Sequence, residues 1–230
     1  MIADLGYFAL LLALLVSIFA AFAGWYGSRR DDPRWVESAR NGVILVFPLV
    51  AIAAGTLVMS LLNNDFSIEY VWRVSSIEMP TYLKVTSLWG GQAGSLLFWN
   101  LLLAAFAAVV MARKWNADRA LMPYVIMVVS FTQIFFLGIS AFIENPFTRM
   151  VMIPPDGNGL NPLLRHPGMI IHPPMLYLGF VGFVIPYSFA MAALISKQLD
   201  DRWIRTTRRW TLVAWLFLSL GLILRRPLGV

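Results

Sequence analysis

Two histidines, His166 and His172, are the only imidazoles in this 230-residue chain, and it has no cysteine. Without cysteine there can be no disulfide, no thiolate metal site, no thiol redox chemistry and no covalent haem attachment to this chain through Cys-x-x-Cys-His. The histidines stand six residues apart with Pro167-Gly168 between them, so they do not form the i,i+4 pair that shares a metal on one helical face. His172 runs into Pro173-Pro174. A proline pushes the residue before it toward extended backbone and is itself suited to the first turn of a helix. The expectation is therefore an extended His172 at the mouth of a helix that begins at Pro174. Imidazole is a standard ligand of haem iron, and Met169, Ile170, Ile171, Met175 and Tyr177 would pack against an apolar ring. A capping or hydrogen-bonding role is the commoner one for an interfacial histidine taken alone.

A second candidate is Trp89-Gly90-Gly91-Gln92-Ala93-Gly94-Ser95, which leads straight into Leu96-Leu97-Phe98-Trp99. Glycines so closely spaced let the backbone approach a partner or ligand and adopt conformations closed to other residues. They serve equally well where a helix start must pack tightly.

The elements that position these residues follow from hydropathy. Hydrophobic residues make up 59% of the chain and charged ones 13%, about half the charged share of an ordinary soluble domain. Six apolar segments are expected at roughly 5 to 26, 42 to 62, 94 to 112, 121 to 143, 174 to 195 and 210 to 224, each near the roughly 20 residues that cross a bilayer. The fold class is thus all-α, a polytopic membrane protein forming a single membrane domain over 1–230, with long loops at 63–93 and 144–173. Within the first long loop, the alternation over Phe66 to Trp72 suits a short strand or an interfacial segment. The second is crowded with turn formers such as Pro154-Pro155-Asp156-Gly157, and loops of that length are usually functional or disordered.

Charge sets the expected orientation. The first, third and fifth loops carry Arg29, Arg30, Arg34, Arg40, Arg113, Lys114, Arg119, Lys197, Arg202, Arg205, Arg208 and Arg209, whereas the two longer loops carry only Arg73, Lys84, Arg149 and Arg165. Twelve against four puts the N-terminus and the long loops outside and the basic loops in the cytoplasm. That distribution also explains a pI near 10 without invoking nucleic acid, which needs basic residues gathered on one soluble face. A cleaved signal peptide ending at Ala21-Phe22-Ala23 is disfavoured, because the positive charge follows the apolar core instead of preceding it. The span interiors hold no Asp, Glu, Lys, Arg or His, which counts against a pump or ion-coupled transporter. Their most polar residues are Asn100, Ser130, Thr132 and Gln133, with Asn100 and Gln133 read as interhelical hydrogen-bonding glue. The last segment is short and ends at Arg225-Arg226-Pro227, so the natural sequence is expected to continue, the chain being truncated, frameshifted or one part of a split protein.

Four stretches carry a resemblance. These are Asp65-Phe66-Ser67 with Tyr70-Val71, then Trp89-Gly90-Gly91 through Gly94-Ser95-Leu96-Leu97, then Leu160-Asn161-Pro162-Leu163-Leu164, and Ile171-His172-Pro173-Pro174-Met175-Leu176-Tyr177. In this order and spacing the chain resembles the CcmF family of cytochrome c maturation proteins with its NrfE relatives, in the haem-handling group that also contains CcsA. The resemblance implies a haem lyase of the bacterial inner membrane. Such a protein takes non-covalent haem b as substrate from the chaperone CcmE, works with a CcmH-type thiol partner, and joins the haem vinyl groups to apocytochrome c at the outer face. It also implies that His172 is an axial ligand of the haem iron, and that Trp89, Gly90, Gly91, Pro173 and Tyr177 belong to the binding region; it assigns no catalytic residue. Three departures limit it. Ala93 stands where the family often has Glu, the tryptophan-rich segment and second flanking histidine are absent, and family members have more spans. What the resemblance implies is an N-terminal portion with half a haem site, inactive alone. A non-catalytic assembly subunit of a split lyase, or a helical subunit of a respiratory complex, is the alternative.

Overall fold

The first helix shows why this sequence folds as a tight bundle. In α1 (Ile2–Arg30) the buried positions Ala3, Gly6, Ala9, Ala13, Ser17, Ala20, Ala23 and Gly27 recur every three or four residues. That forms a stripe of small side chains that lets neighbouring backbones approach closely. Leu5, Phe8, Leu12, Leu15, Phe19 and Phe22 face outward, as they would toward lipid, while Leu10 and Leu14 stay buried. The stripe packs on α2 (Pro33–Leu62) and α6 (Met122–Phe142). A two-residue turn joins α1 to α2: Asp31 takes φ 52°, and the Asp32 side chain accepts the Arg34 N–H just ahead of Pro33 in the first turn, the usual way to satisfy orphaned amides at a helix start.

The computed structural model describes residues 2–113, 119–198 and 200–225; Lys114 and the Arg226-Pro227 end lie outside them. After α2 come the short helices α3 (Glu69–Val74) and α4 (Thr81–Thr86), a 3₁₀ turn at Ser87–Trp89, then α5 (Gln92–Ala112) and α6. A second 3₁₀ turn, Pro162–Arg165, precedes α7 (Pro167–Gly182), α8 (Val184–Ser196) and α9 (Arg202–Arg225). Six helical stretches are long and apolar enough to cross a membrane, with α7 and α8 together forming the fifth. Buried side chains fall into two clusters. One joins Leu10, Leu57, Leu97 and Leu137 to the buried loop residues Ile68, Tyr70, Phe147 and Leu160. The other, toward the far end, joins Val43, Met111, Ile126 and Phe189.

Both long loops fold over the same end of the bundle. They meet in an antiparallel bridge between Ile68 and Arg149, flanked by hydrogen bonds from Glu69 N–H to the Thr148 carbonyl (2.9 Å) and from Met150 N–H to the Ser67 carbonyl (2.8 Å). Asn158 and Gly159 then donate to the Trp72 and Ser75 carbonyls. The buried Lys84 ties this cap together, its Nζ donating to Asn64 Oδ1 (2.6 Å) and the Ile77 carbonyl (3.2 Å). The N-terminus shares this end, since Arg149 pairs with Asp4. At the opposite end Arg40 Nε donates to the Met111 carbonyl, so the basic loops also cluster together.

Several expectations are corrected. Of the short strand or interfacial segment read at Phe66 to Trp72, the strand exists only as that one bridge. Alternation buries Phe66 and Ile68, but from Tyr70 the buried positions become Tyr70, Val71 and Val74, which is helical spacing, and Glu69 pairs with Arg73 one turn on. The second span begins at Pro33, so Arg34 and Arg40 are helical. The sixth begins at Arg202, which makes it long enough to span and places Arg205, Arg208 and Arg209 in its first turns. The fifth span starts at Pro167, not Pro174, so the second long loop ends at His166.

Candidate functional site

That earlier helix start relocates His172. It is not an extended residue at a helix mouth but the sixth residue of α7, and Pro173 and Pro174 lie inside the helix. Proline lacks the N–H that would close an i→i−4 bond, yet the helix continues to Gly182, where Phe183 separates it from α8. The signal for the true start is the other proline. Pro167 takes the first position and the His166 side chain caps it, Nδ1 accepting the Gly168 N–H at 3.1 Å.

The His172 ring reaches across to α9, with Nδ1 2.8 Å from the Gly221 carbonyl. A carbonyl oxygen only accepts, so Nδ1 carries the proton and, in the neutral ring, the Nε2 lone pair is available. This is the arrangement in which a backbone carbonyl orients an imidazole for a metal. The contact depends on close packing of α7 against α9. A side chain on Gly179 would collide with Leu218 backbone atoms at 2.7 and 2.8 Å, one on Gly182 with Ala214 Cβ at 2.9 Å, and one on Gly221 with Leu176 Cδ2 at 2.7 Å. Sequence reasoning missed this pairing. The available signal was Gly179-x-x-Gly182, small residues one turn apart in an apolar helix.

Tyr177 faces α5. Its ring meets Phe98 (centroids 5.8 Å apart) and Trp99 (5.9 Å), and Phe98 in turn meets Trp89 (5.3 Å). Trp99 continues the chain to Phe136 and Phe180. Trp89 and Tyr177 are thus brought into one aromatic wall, while His172 lies on the α9 side of the same helix. Gly90 and Gly91 stand at the start of α5, where the close approach is to the protein's own side chains: a Cβ on Gly90 would meet Leu160 Cδ1 at 2.6 Å and one on Gly91 would meet Tyr70 Cε2 at 3.1 Å. Gly94 leaves no room beside Tyr70 and the Leu88 carbonyl.

Tyr70, which the sequence marked only as part of the family resemblance, organises this turn. Its Oη donates toward the Ser87 carbonyl (2.7 Å), lies 3.1 Å from that of Leu88, and accepts the Gly91 N–H at 3.2 Å. Burial pushes its hydroxyl above the usual phenol range, outweighing the Gly91 amide that favours the anion, so it stays protonated as that donation requires.

Among the described residues no three His, Cys, Asp or Glu side chains converge on one point. A single imidazole suits an iron otherwise held by a porphyrin, and His172, whose Nδ1 is taken by the Gly221 carbonyl and whose Nε2 is left over, fits that need.

Six apolar helical spans capped at one end by folded loops define a polytopic α-helical membrane protein whose candidate residues gather beneath that cap. Residues 89–224 match the model of the family described as cytochrome C assembly protein, and the chain belongs to that family. It is 40% identical over 225 residues to the cytochrome c-type biogenesis protein CcmF of Pseudomonas aeruginosa, covering 97% of this chain and 34% of that protein. It is 34% identical to the cytochrome c-type biogenesis protein NrfE of Haemophilus influenzae, covering 97% of this chain and 35% of the relative. A solved structure titled cytochrome c heme lyase CcmF superposes with a TM-score of 0.85 at 31% identity, over 96% of this chain and 35% of that one. The chain therefore spans about a third of the length of these relatives.

Proposed function

We propose that this chain acts in cytochrome c maturation as the N-terminal part of a haem-handling membrane protein, and that it presents His172 as an axial ligand to haem. The observation that carries this reading is the 2.8 Å contact between His172 Nδ1 and the Gly221 carbonyl, which fixes the proton on Nδ1 and leaves Nε2 to bind iron. Family membership and the relatives' names support the wider process. Haem b is the substrate on this reading. The full reaction adds two cysteine thiols of apocytochrome c across the haem vinyl groups, forming two C–S bonds while each thiol proton goes to the neighbouring vinyl carbon. That reaction needs the remainder of the family fold, the haem donor CcmE and a CcmH-type thiol partner. The chain's location is the bacterial inner membrane, with its loop cap outside.

The test is His172→Ala in a protein restored with the missing part of the fold. Haem occupancy should fall and the Soret band should shift, with partial recovery on adding free imidazole, because the lesion is a lost ligand. His166→Ala should leave the iron spectrum unchanged, since that ring is a helix cap. An unaltered Soret band in the His172 variant would refute the ligand assignment. The isolated 230-residue chain should bind haem weakly or not at all.

A further inference from the structure

Most buried hydroxyl side chains of the long helices have a hydrogen-bond partner, usually in their own backbone. Ser17, Ser60, Thr132 and Ser188 each donate to the carbonyl four residues earlier in their own helix, the usual way to satisfy a hydroxyl inside a membrane helix. Ser130 does not. It is fully buried and its Oγ has no partner. One turn further along α6 stands Gln133, 1% exposed, with neither its amide nitrogen nor its amide oxygen hydrogen-bonded. A primary amide can make four hydrogen bonds, and no bulk water reaches the bilayer core to supply them.

These two side chains mark the seam between the two apolar clusters. On α6, Val129 belongs to the far-end cluster and Leu137 to the cluster beneath the cap. On α1, Leu14 belongs to the cap-side cluster and Ala20 to the far-end one, with the buried Ser17 between them. Ser130 and Gln133 on α6, like Ser17 on α1, thus stand between the two apolar clusters, on helices that pack together. Asn100, also buried, satisfies its amide nitrogen on the Phe136 carbonyl and Ser140 Oγ but leaves Oδ1 unpartnered.

We infer that Gln133 and Ser130 form an internal site for water, holding one or more molecules within the helix bundle. Water is the ligand that fits. It donates and accepts, as the mixed set of amide N–H, amide oxygen and hydroxyl requires, and buried waters typically make about three hydrogen bonds to otherwise unsatisfied groups. The site is independent of the His172 assignment, which concerns α7 and α9.

The chain has three glutamines, Gln92, Gln133 and Gln198, so ¹⁵N-glutamine labelling of the protein in lipid nanodiscs gives three side-chain amide pairs. The pair lost in Gln133→Met is that of Gln133; should that variant not fold, the pair shifted by Ser130→Ala identifies it. Gln92 and Gln198 are exposed and serve as positive controls. The expected result is magnetisation transfer from water to the Gln133 amide despite its burial, reduced at least twofold in Ser130→Ala. Transfer to Gln92 and Gln198 with none to Gln133 would overturn the inference, because the amide would then be bonded to protein alone.

Discussion

The two imidazoles differ in what their Nδ1 atoms face. His166 Nδ1 accepts from the Gly168 amide, which can only donate, so its proton sits on Nε2; His172 Nδ1 meets the Gly221 carbonyl, which can only accept, so its proton sits on Nδ1. Because the chain has only these two, ¹⁵N spectra of the histidine-labelled protein in alkaline solution should show two opposite tautomers, and two identical ones would contradict the geometry. Replacing His166 by Ala removes a helix cap and should lower stability by about 1 kcal/mol, while Asn at the same position retains most of it; unfolding in mixed detergent would measure the difference. The sequence pointed to His172 and to its apolar neighbours. It could not show the partner of the ring, because Gly221 lies 49 residues away and only the packing of α7 on α9 brings it near. It also misplaced the start of the helix: two prolines in a row look like a first turn, yet the better-placed proline and its capping histidine lay just upstream.

At the scale of elements, the glycine-rich turn and the α7–α9 contact are held by different means. The turn at Trp89 hangs on one phenol. Tyr70→Phe keeps the ring that fills the space beside Gly91 and Gly94 but strips a bond from the Ser87 carbonyl and one from the Gly91 amide, so a loss of roughly 2 kcal/mol is expected, with the intrinsic fluorescence of the tryptophans reporting the loosened turn. An unchanged unfolding midpoint would mean that the hydroxyl is dispensable. The α7–α9 contact hangs on missing side chains. Gly179→Val must displace Leu218 backbone atoms, an overpacking that costs about 1–3 kcal/mol. Its specific consequence is that the His172 ring loses the Gly221 carbonyl, so its nitrogen spectrum should move toward a mixture of tautomers while that of His166 stays fixed. Hydropathy was enough to place six spans, because apolar length is a one-dimensional property. The strand expected at Phe66 and the late start of α9 went wrong because alternation over a few residues is ambiguous and because charged first turns are helical without being apolar.

For the molecule as a whole, the structure divides the loops between two ends. Asp4 with Arg149, and Ile68 with Arg149, put the N-terminus and both long loops at one end; Arg40 on Met111 gathers the basic loops at the other. The orientation proposed above rests on charge, since translocating lysines and arginines in short loops is disfavoured, and the proposed chemistry needs the loop cap outside. A cysteine-free chain allows a direct test, because any single cysteine added is the only thiol. Ser75 would be a poor choice, being fully buried, whereas Glu78 and Asn158 in the cap and Gln198 beyond α8 are exposed. Glu78→Cys and Asn158→Cys should react with a membrane-impermeant maleimide in intact bacterial cells, and Gln198→Cys only after the membrane is opened. The reverse pattern would place the cap in the cytoplasm. His172 would then face a compartment where apocytochrome thiols are not awaiting haem, and the proposed function would fail with the orientation even though the helix bundle stood unchanged.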